Sequence, residues 1–180
     1  FISSHYILSG DGFPWLTGYG ASYSQIHEFD YYSRYEELGA AQNTATADNS
    51  ARPLTFEELN QLSHDPLVEI GCHGHYHQPL SKSFEKYLEP ERDRCLSALE
   101  EHLGKRPRYF SLANGKYTKG VMKNLLRSFD KVFTIEGRPS RPKDRVIHRL
   151  TLVNPNIGGP LVQQIDRHLV KLRQLKRAVR

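Results

Sequence analysis

Cys72-His73-Gly74-His75-Tyr76-His77 places three of the chain's nine histidines within five residues. Neutral imidazole is a standard zinc ligand, with Zn–N about 2.0–2.1 Å. His73 and His77 stand four apart, so one helical turn would bring both rings to the same side. Two imidazoles are half a site. A catalytic zinc keeps three protein ligands and one open position, and a carboxylate from elsewhere is the most economical third donor. The same residues also read as solvated loop histidines, or as core histidines bonded to backbone. Cys72 and Cys95 offer thiols for a structural zinc site in a small basic interaction module, but their separation fits none of the common finger spacings.

The cluster needs a strand to deliver it, and the short apolar run over 66–71 reads as one, buried on both faces. Loops at strand C-termini are where α/β folds build their sites. Upstream, Thr55-Phe56-Glu57-Glu58 is a capping box, and Leu59 and Leu62 continue the apolar face of the helix it opens. Downstream, Pro90 suits a helix N1 position, Leu96, Leu99 and Leu103 follow at helical spacing, and Gly104 suits the C-terminal cap. The spacing then predicts a strand over 109–113 closed by an Asn114-Gly115 turn. Thr118 caps a helix carrying Val121, Leu125 and Phe129, and 131–135 is the next strand. Residues 145–153 alternate, with Val146, His148, Leu150 and Leu152 on one face. Beyond Gly158-Gly159-Pro160, Ile165, Leu169, Leu172 and Val179 mark a last amphipathic helix. Phe1, Ile2, Tyr6, Ile7 and Leu8 read as the tail of a buried strand. Strands alternating with helices predict an α/β layer or barrel.

A chain of 180 residues suits one domain with a real core. Its 8 Phe, 10 Tyr and 1 Trp argue against wholesale disorder despite a mean hydropathy of -0.61. No apolar run approaches the ~20 residues of a membrane-spanning helix. Two cysteines cannot build a disulfide scaffold, which leaves the compartment open. Three regions follow: an irregular insertion or lid over 1–53, a core over 54–153 and a basic helix over 160–180. The net charge of +5 is concentrated at the end, where Arg167, Lys171, Arg173, Lys176, Arg177 and Arg180 meet no acid. That run could attract anionic glycans or a membrane surface, but reads first as the solvated face of the last helix; no base-reading motif accompanies it, so nucleic acid is not an expected partner.

Residues 54–59 and the run Val68-Glu69-Ile70-Gly71-Cys72-His73-Gly74-His75-Tyr76-His77-Gln78-Pro79-Leu80 resemble the polysaccharide deacetylase family, the NodB-homology or carbohydrate esterase family 4 group. The order downstream is similar as well: a helix ending Leu103-Gly104-Lys105, a strand into the turn Ala113-Asn114-Gly115, a helix, and the strand Val132-Phe133-Thr134-Ile135. The likeness covers about 54–153, with a looser match of Phe1-Ile2-Ser3 to another family strand. It implies a distorted (β/α) barrel that removes acetyl groups from N-acetylated sugars of a polysaccharide by hydrolysis of an amide bond. A divalent metal, usually zinc, is held in that family by one Asp and two His, with a second Asp as general base. By position, the resemblance makes His73 and His77 metal ligands, and the backbone N–H of Asn114 the oxyanion donor.

The family's Asp-Asp pair lies upstream of the segment matching Phe1, so the third ligand and the base are expected there, and the barrel is expected to be incomplete at its first strand. Asp11 is the local substitute to test. Gly74 stands where the family often has Ser or Thr, and Ser111 and Ala113 stand where it has Arg and Pro. His148 in Val146-Ile147-His148 is the echo of the family's general acid, and Arg149 beside it resembles a variant with Arg on this strand. Trp15, with Tyr19, Tyr23, Tyr31, Tyr32 and Tyr35, could line a groove for a carbohydrate polymer or oligosaccharide, since aromatic faces stack on sugar rings, or could pack the insertion against the core. The alternative to an enzyme is a carbohydrate-binding relative that has lost the catalytic Asp pair.

Overall fold

The computed structural model describes residues 1–10, 30–33, 35, 52–135 and 140–149. Trp15, Tyr19, Tyr23, Asp11, the end of the alternating stretch at 150–153 and the basic helix expected over 160–180 lie outside them. Along the described chain run α1 (Ser4–Ser9), α2 (Phe56–Ser63), a 3-10 segment (Lys82–Tyr87), α3 (Leu88–Leu103), β1 (Tyr109–Ser111), a 3-10 turn (Ala113–Gly115), α4 (Lys119–Ser128), β2 (Lys131–Thr134) and β3 (Val146–His148).

β1, β2 and β3 pair in parallel, with Phe110 opposite Val132 and Val132 opposite Val146. Two bridges extend the sheet on the β1 side, Cys72 to Phe110 and Ile2 to Cys72, both parallel. Ile2 N–H bonds Gly71 O at 2.8 Å, Cys72 N–H bonds Tyr109 O at 2.8 Å, and Ser111 N–H bonds Cys72 O at 2.8 Å. The lateral order is therefore Ile2, Cys72, β1, β2, β3, an open parallel sheet among the described residues. Parallel neighbours need crossovers: α2 precedes the Cys72 segment, α3 leads into β1, and α4 joins β1 to β2.

The helices form for local reasons. Thr55 and Glu58 make the full capping box that opens α2, and Thr118 caps α4 by accepting Val121 N–H. Gly104 ends α3 at φ 65, a left-handed conformation that glycine adopts without penalty. Their apolar stripes meet the sheet in one core of Leu59, Leu96, Leu99, Phe110, Leu112, Val121, Leu125 and Val132. On α3, Leu88, Glu91, Cys95 and Leu99 fall on the same buried stripe.

Several expectations shift. Residues 66–71 are not a regular strand: Pro66 and Leu67 are in a turn with Leu67 exposed, and pairing begins only where Gly71 and Cys72 meet Ile2 and β1. Pro90 is third in α3, not first, because Tyr87 is the N-cap; its missing N–H is still one that a helix start leaves unbonded. Ile2 does pair in the sheet, but Tyr6, Ile7 and Leu8 lie in α1, which Gly10 stops at φ 72. Among the described residues the strand expected from 145 is three residues long.

Leu99 is fully buried between α3 and the sheet. Leu99→Ala should lower stability by about 2–5 kcal/mol, through lost transfer energy and the cavity left behind, as read from the shift in a urea unfolding midpoint.

Candidate functional site

A parallel sheet puts the loops after all its strands on one edge. Here that edge collects Ser3 after Ile2, the 73–78 loop after Cys72, the Asn114 turn after β1, and Arg149 after β3. Because successive strand residues face opposite sides, Cys72 and His73 part company. Cys72 turns to α3, where its thiol meets Cys95, and the pairing with burial holds it far above the usual thiol range. Both cysteines are fully buried and free, and Cys95 donates to Ile2 O at 3.3 Å. They sit in the core beneath the histidines.

His73 and His77 come together, with ring centroids 4.6 Å apart and planes at 83°. The expected helical turn does not bring them there. The segment bends instead, with Gly74 at φ 87 and His77 itself at φ 63, a left-handed conformation that costs a non-glycine residue about 1–3 kcal/mol and clusters at functional sites. His73 Nδ1 lies 2.6 Å from Ser111 O. A carbonyl only accepts, so Nδ1 carries the proton and Nε2 keeps its lone pair, the arrangement of a metal-ligating imidazole with its outer partner in place. Burial pushes His73 down to about 4, against the raising effect of that hydrogen bond, and the Arg149 guanidinium lowers it further. Burial, then the charges of His73 and Arg149, bring His77 to about 3. Both rings are thus neutral at physiological pH, the form that binds metal. The donor set fits two positions of a divalent metal site. Among the described residues no cluster of three His, Cys, Asp or Glu completes it.

His75, the third histidine, turns away from the pair: its Nδ1 meets Ser4 Oγ at 2.8 Å, and its ring packs against Tyr76 and His5. Burial, with the charges of His5 and Arg94, brings it to about 3. Tyr31, Tyr32 and Tyr76 form a second buried cluster, in which Tyr32 stacks on Tyr87 at 4.2 Å. Of the tyrosines the sequence offered for a groove, Tyr31 and Tyr32 are buried in this packing.

Asn114 sits in the left-handed region at φ 51, so the chain reverses sharply after β1. The turn's own hydrogen bonds come from Gly115 N–H to Leu112 O and Lys116 N–H to Ala113 O. The buried Asn114 Nδ2 and Ser111 Oγ meet no acceptor or donor among the described residues. His148 lies opposite Thr134 in β3, its N–H bonded to Ser140 Oγ at 2.7 Å. The β3-end residue whose charge reaches both imidazoles is its neighbour Arg149, half-buried, with Nε unpartnered among the described residues.

Glu91 was not visible to sequence reasoning as a site residue. It is 1% exposed, and its carboxylate accepts Tyr76 N–H at 2.7 Å and Gln78 N–H at 3.2 Å. Burial raises it to about 7, against the lowering effect of those amides and of the Tyr32 hydroxyl. In the first turn of a helix an acid reads as a partner for the helix dipole. Only its place on the Leu88–Cys95–Leu99 stripe hints at burial.

The model of the polysaccharide deacetylase family matches residues 40–129, half of the chain, a span that holds His73, His77, Glu91 and Asn114. Among solved structures, a de-N-acetylase from Aggregatibacter actinomycetemcomitans aligns at 17% identity with a TM-score of 0.50, over 62% of this chain and 53% of its own. IcaB from Ammonifex degensii aligns at 26% identity with a TM-score of 0.49, over 57% of this chain and 48% of its own. The chain thus spans about half the length of these structures. No curated protein matches it.

The depressed imidazoles set a pH dependence for the metal-free chain. The unfolded chain takes up protons at these rings below about 6.5 and the folded one only near 4 and 3, so their contribution is present above 6.5 and is lost as pH falls. Urea midpoints measured from pH 7 to 4 should fall more steeply for the wild type than for His77→Asn.

Proposed function

Since the chain belongs to the polysaccharide deacetylase family, we propose that it serves a metal-dependent hydrolase that removes acetyl groups from N-acetylated sugars of a polysaccharide. The observation that carries this reading is the His73–His77 pair with His73 Nδ1 committed to Ser111 O. In the reaction, the C–N bond of the acetamide breaks, water supplies its oxygen to the acetyl carbon, and acetate and a free sugar amine leave.

His73 and His77 would hold the divalent ion, zinc first among candidates. When bound there, such an ion polarises the acetamide carbonyl and acidifies water towards a pKa of about 7. The chain's own residues do the rest. Ser111 O fixes the tautomer of His73 and keeps its ring from rotating. The Asn114 N–H, on a turn where the Gly115 and Lys116 N–H groups are already bonded, donates to the oxygen on which charge develops at the acetyl carbon. His148 is the candidate acid for the leaving amine, and Trp15 a candidate stacking surface for the sugar. The remaining carboxylate ligand and the general base correspond to the family's Asp-Asp pair, for which Asp11 is the local substitute to test. In this reading the open sheet of the described residues belongs to a (β/α) barrel, with 1–53 as an insertion, 54–153 as its core and 160–180 as a terminal helix.

Zinc titration of the chain tests the reading directly. One-to-one binding should be lost in both His73→Ala and His77→Ala. Binding unchanged by either substitution would overturn the metal site. Acetate release from an N-acetylated glucosamine oligomer then separates the two functions: metal and oligomer bound without acetate would mean the carbohydrate-binding relative.

A further inference from the structure

Both candidate ligands sit on a loop that no regular secondary structure holds. From His73 to Gln78 the chain is neither helix nor strand, and it contains two left-handed residues, Gly74 and His77. A loop of this kind would sample many separations of its two imidazoles unless something outside it fixed the backbone. The described contacts supply that from two helices: from α1, Ser4 and His5 N–H bond Gly74 O and His75 O and the Tyr6 hydroxyl donates to Tyr76 O, while the hold on either side of His77 comes from α3. Glu91 reaches out of the apolar stripe and accepts Tyr76 N–H through Oε1 and Gln78 N–H through Oε2, the amides on either side of His77. Removal from water strengthens a hydrogen bond, so two backbone N–H groups held by one buried carboxyl group are firmly placed. Gln78 passes the restraint on, because its own Oε1 accepts Tyr31 N–H at 2.7 Å. Gly74 answers to the same group. A Cβ there would overlap Glu91 Oε2, so the carboxylate occupies the space where a side chain at 74 would begin.

We propose that Glu91 is a positioning residue, whose carboxylate sets the backbone on both sides of His77 and so fixes the relation of His77 to His73 on which metal capture depends. The proposal rests on the metal-site reading above, and adds that a side chain of α3 sets the backbone next to His77, beyond what the loop and its contacts with α1 supply. Glu91 touches neither metal nor substrate. Its effect passes through two peptide groups.

The test compares Glu91→Gln with Leu99→Ala, which loosens the same helix without touching the loop. Cobalt(II) is the probe, followed by its visible absorption and by competition with a chelator, at a temperature where every variant is folded. Glu91→Gln keeps the shape but turns an NH2 towards one of the two amides, and should weaken cobalt binding about 10–100-fold and alter the absorption band. Leu99→Ala should leave both within about twofold. Equal losses in the two variants, or wild-type affinity in Glu91→Gln, would overturn the proposal. A second measurement needs no variant: in the metal-free wild type, the Tyr76 and Gln78 amides should exchange with deuterium slowly, and exchange at the rate of exposed amides would also overturn it. If cobalt binding survives His73→Ala and His77→Ala unchanged, the metal reading itself has failed. If those abolish it and Glu91→Gln does not, only the role of Glu91 has.

Discussion

The site depends on the parallel ladder around Cys72. That residue bonds β1 through both its N–H and its C=O, while Gly71 O and His73 N–H bond Ile2 on the other side. With both edges occupied, the segment cannot slide by one residue without turning His73 into the core and Cys72 out of it. Gly71 is part of the same constraint. A Cβ there would fall 2.7 Å from the Phe1 ring and 3.0 Å from Tyr109 O, so neighbouring chains approach as closely as backbone allows. The register then decides which strand carbonyl His73 meets, and it is Ser111 O.

The elements were legible where a local signal existed. The capping box at Thr55, the cap at Thr118, the stop at Gly104 and the turn at Asn114 all stand where their residue types put them. So does the pairing of His73 with His77, though not its cause. Spacing of four suggested a helical turn; a bend through two left-handed residues achieves the same meeting, and nothing in a one-dimensional pattern separates the two. The strand expected over 66–71 failed for a related reason. Apolar character marked the segment as one that enters the core, but pairing needs neighbours, and Ile2 and Tyr109 lie 70 and 37 positions from Cys72. Glu91 was illegible altogether, since its partners are main-chain groups that carry no residue identity.

The departures from the family pattern at 74 and 111 become intelligible together. The chain leaves position 74 bare, and Glu91 from α3 fills the space where a side chain would begin. Ser111 before the turn is short and neutral, and the positive charge that reaches the histidines comes from Arg149 at the end of β3. Burial of an acid on one side and of a base on the other costs solvation. The imidazoles between them stay neutral.

The ladder around Cys72 also has a kinetic side. His73 and His77 are close in sequence, but the groups that orient them are not: Ser111 lies 38 residues from His73, and the Ser3 hydroxyl that meets His73 O lies 70 away. Contacts of such separation pay their loop-closure entropy before they return any stability, and they form late and slowly. During synthesis the histidine segment leaves the ribosome well before β1 does. Until that strand docks, the two rings are tethered together but point nowhere in particular. The competence of the loop is therefore a property of the finished sheet as well as of α3.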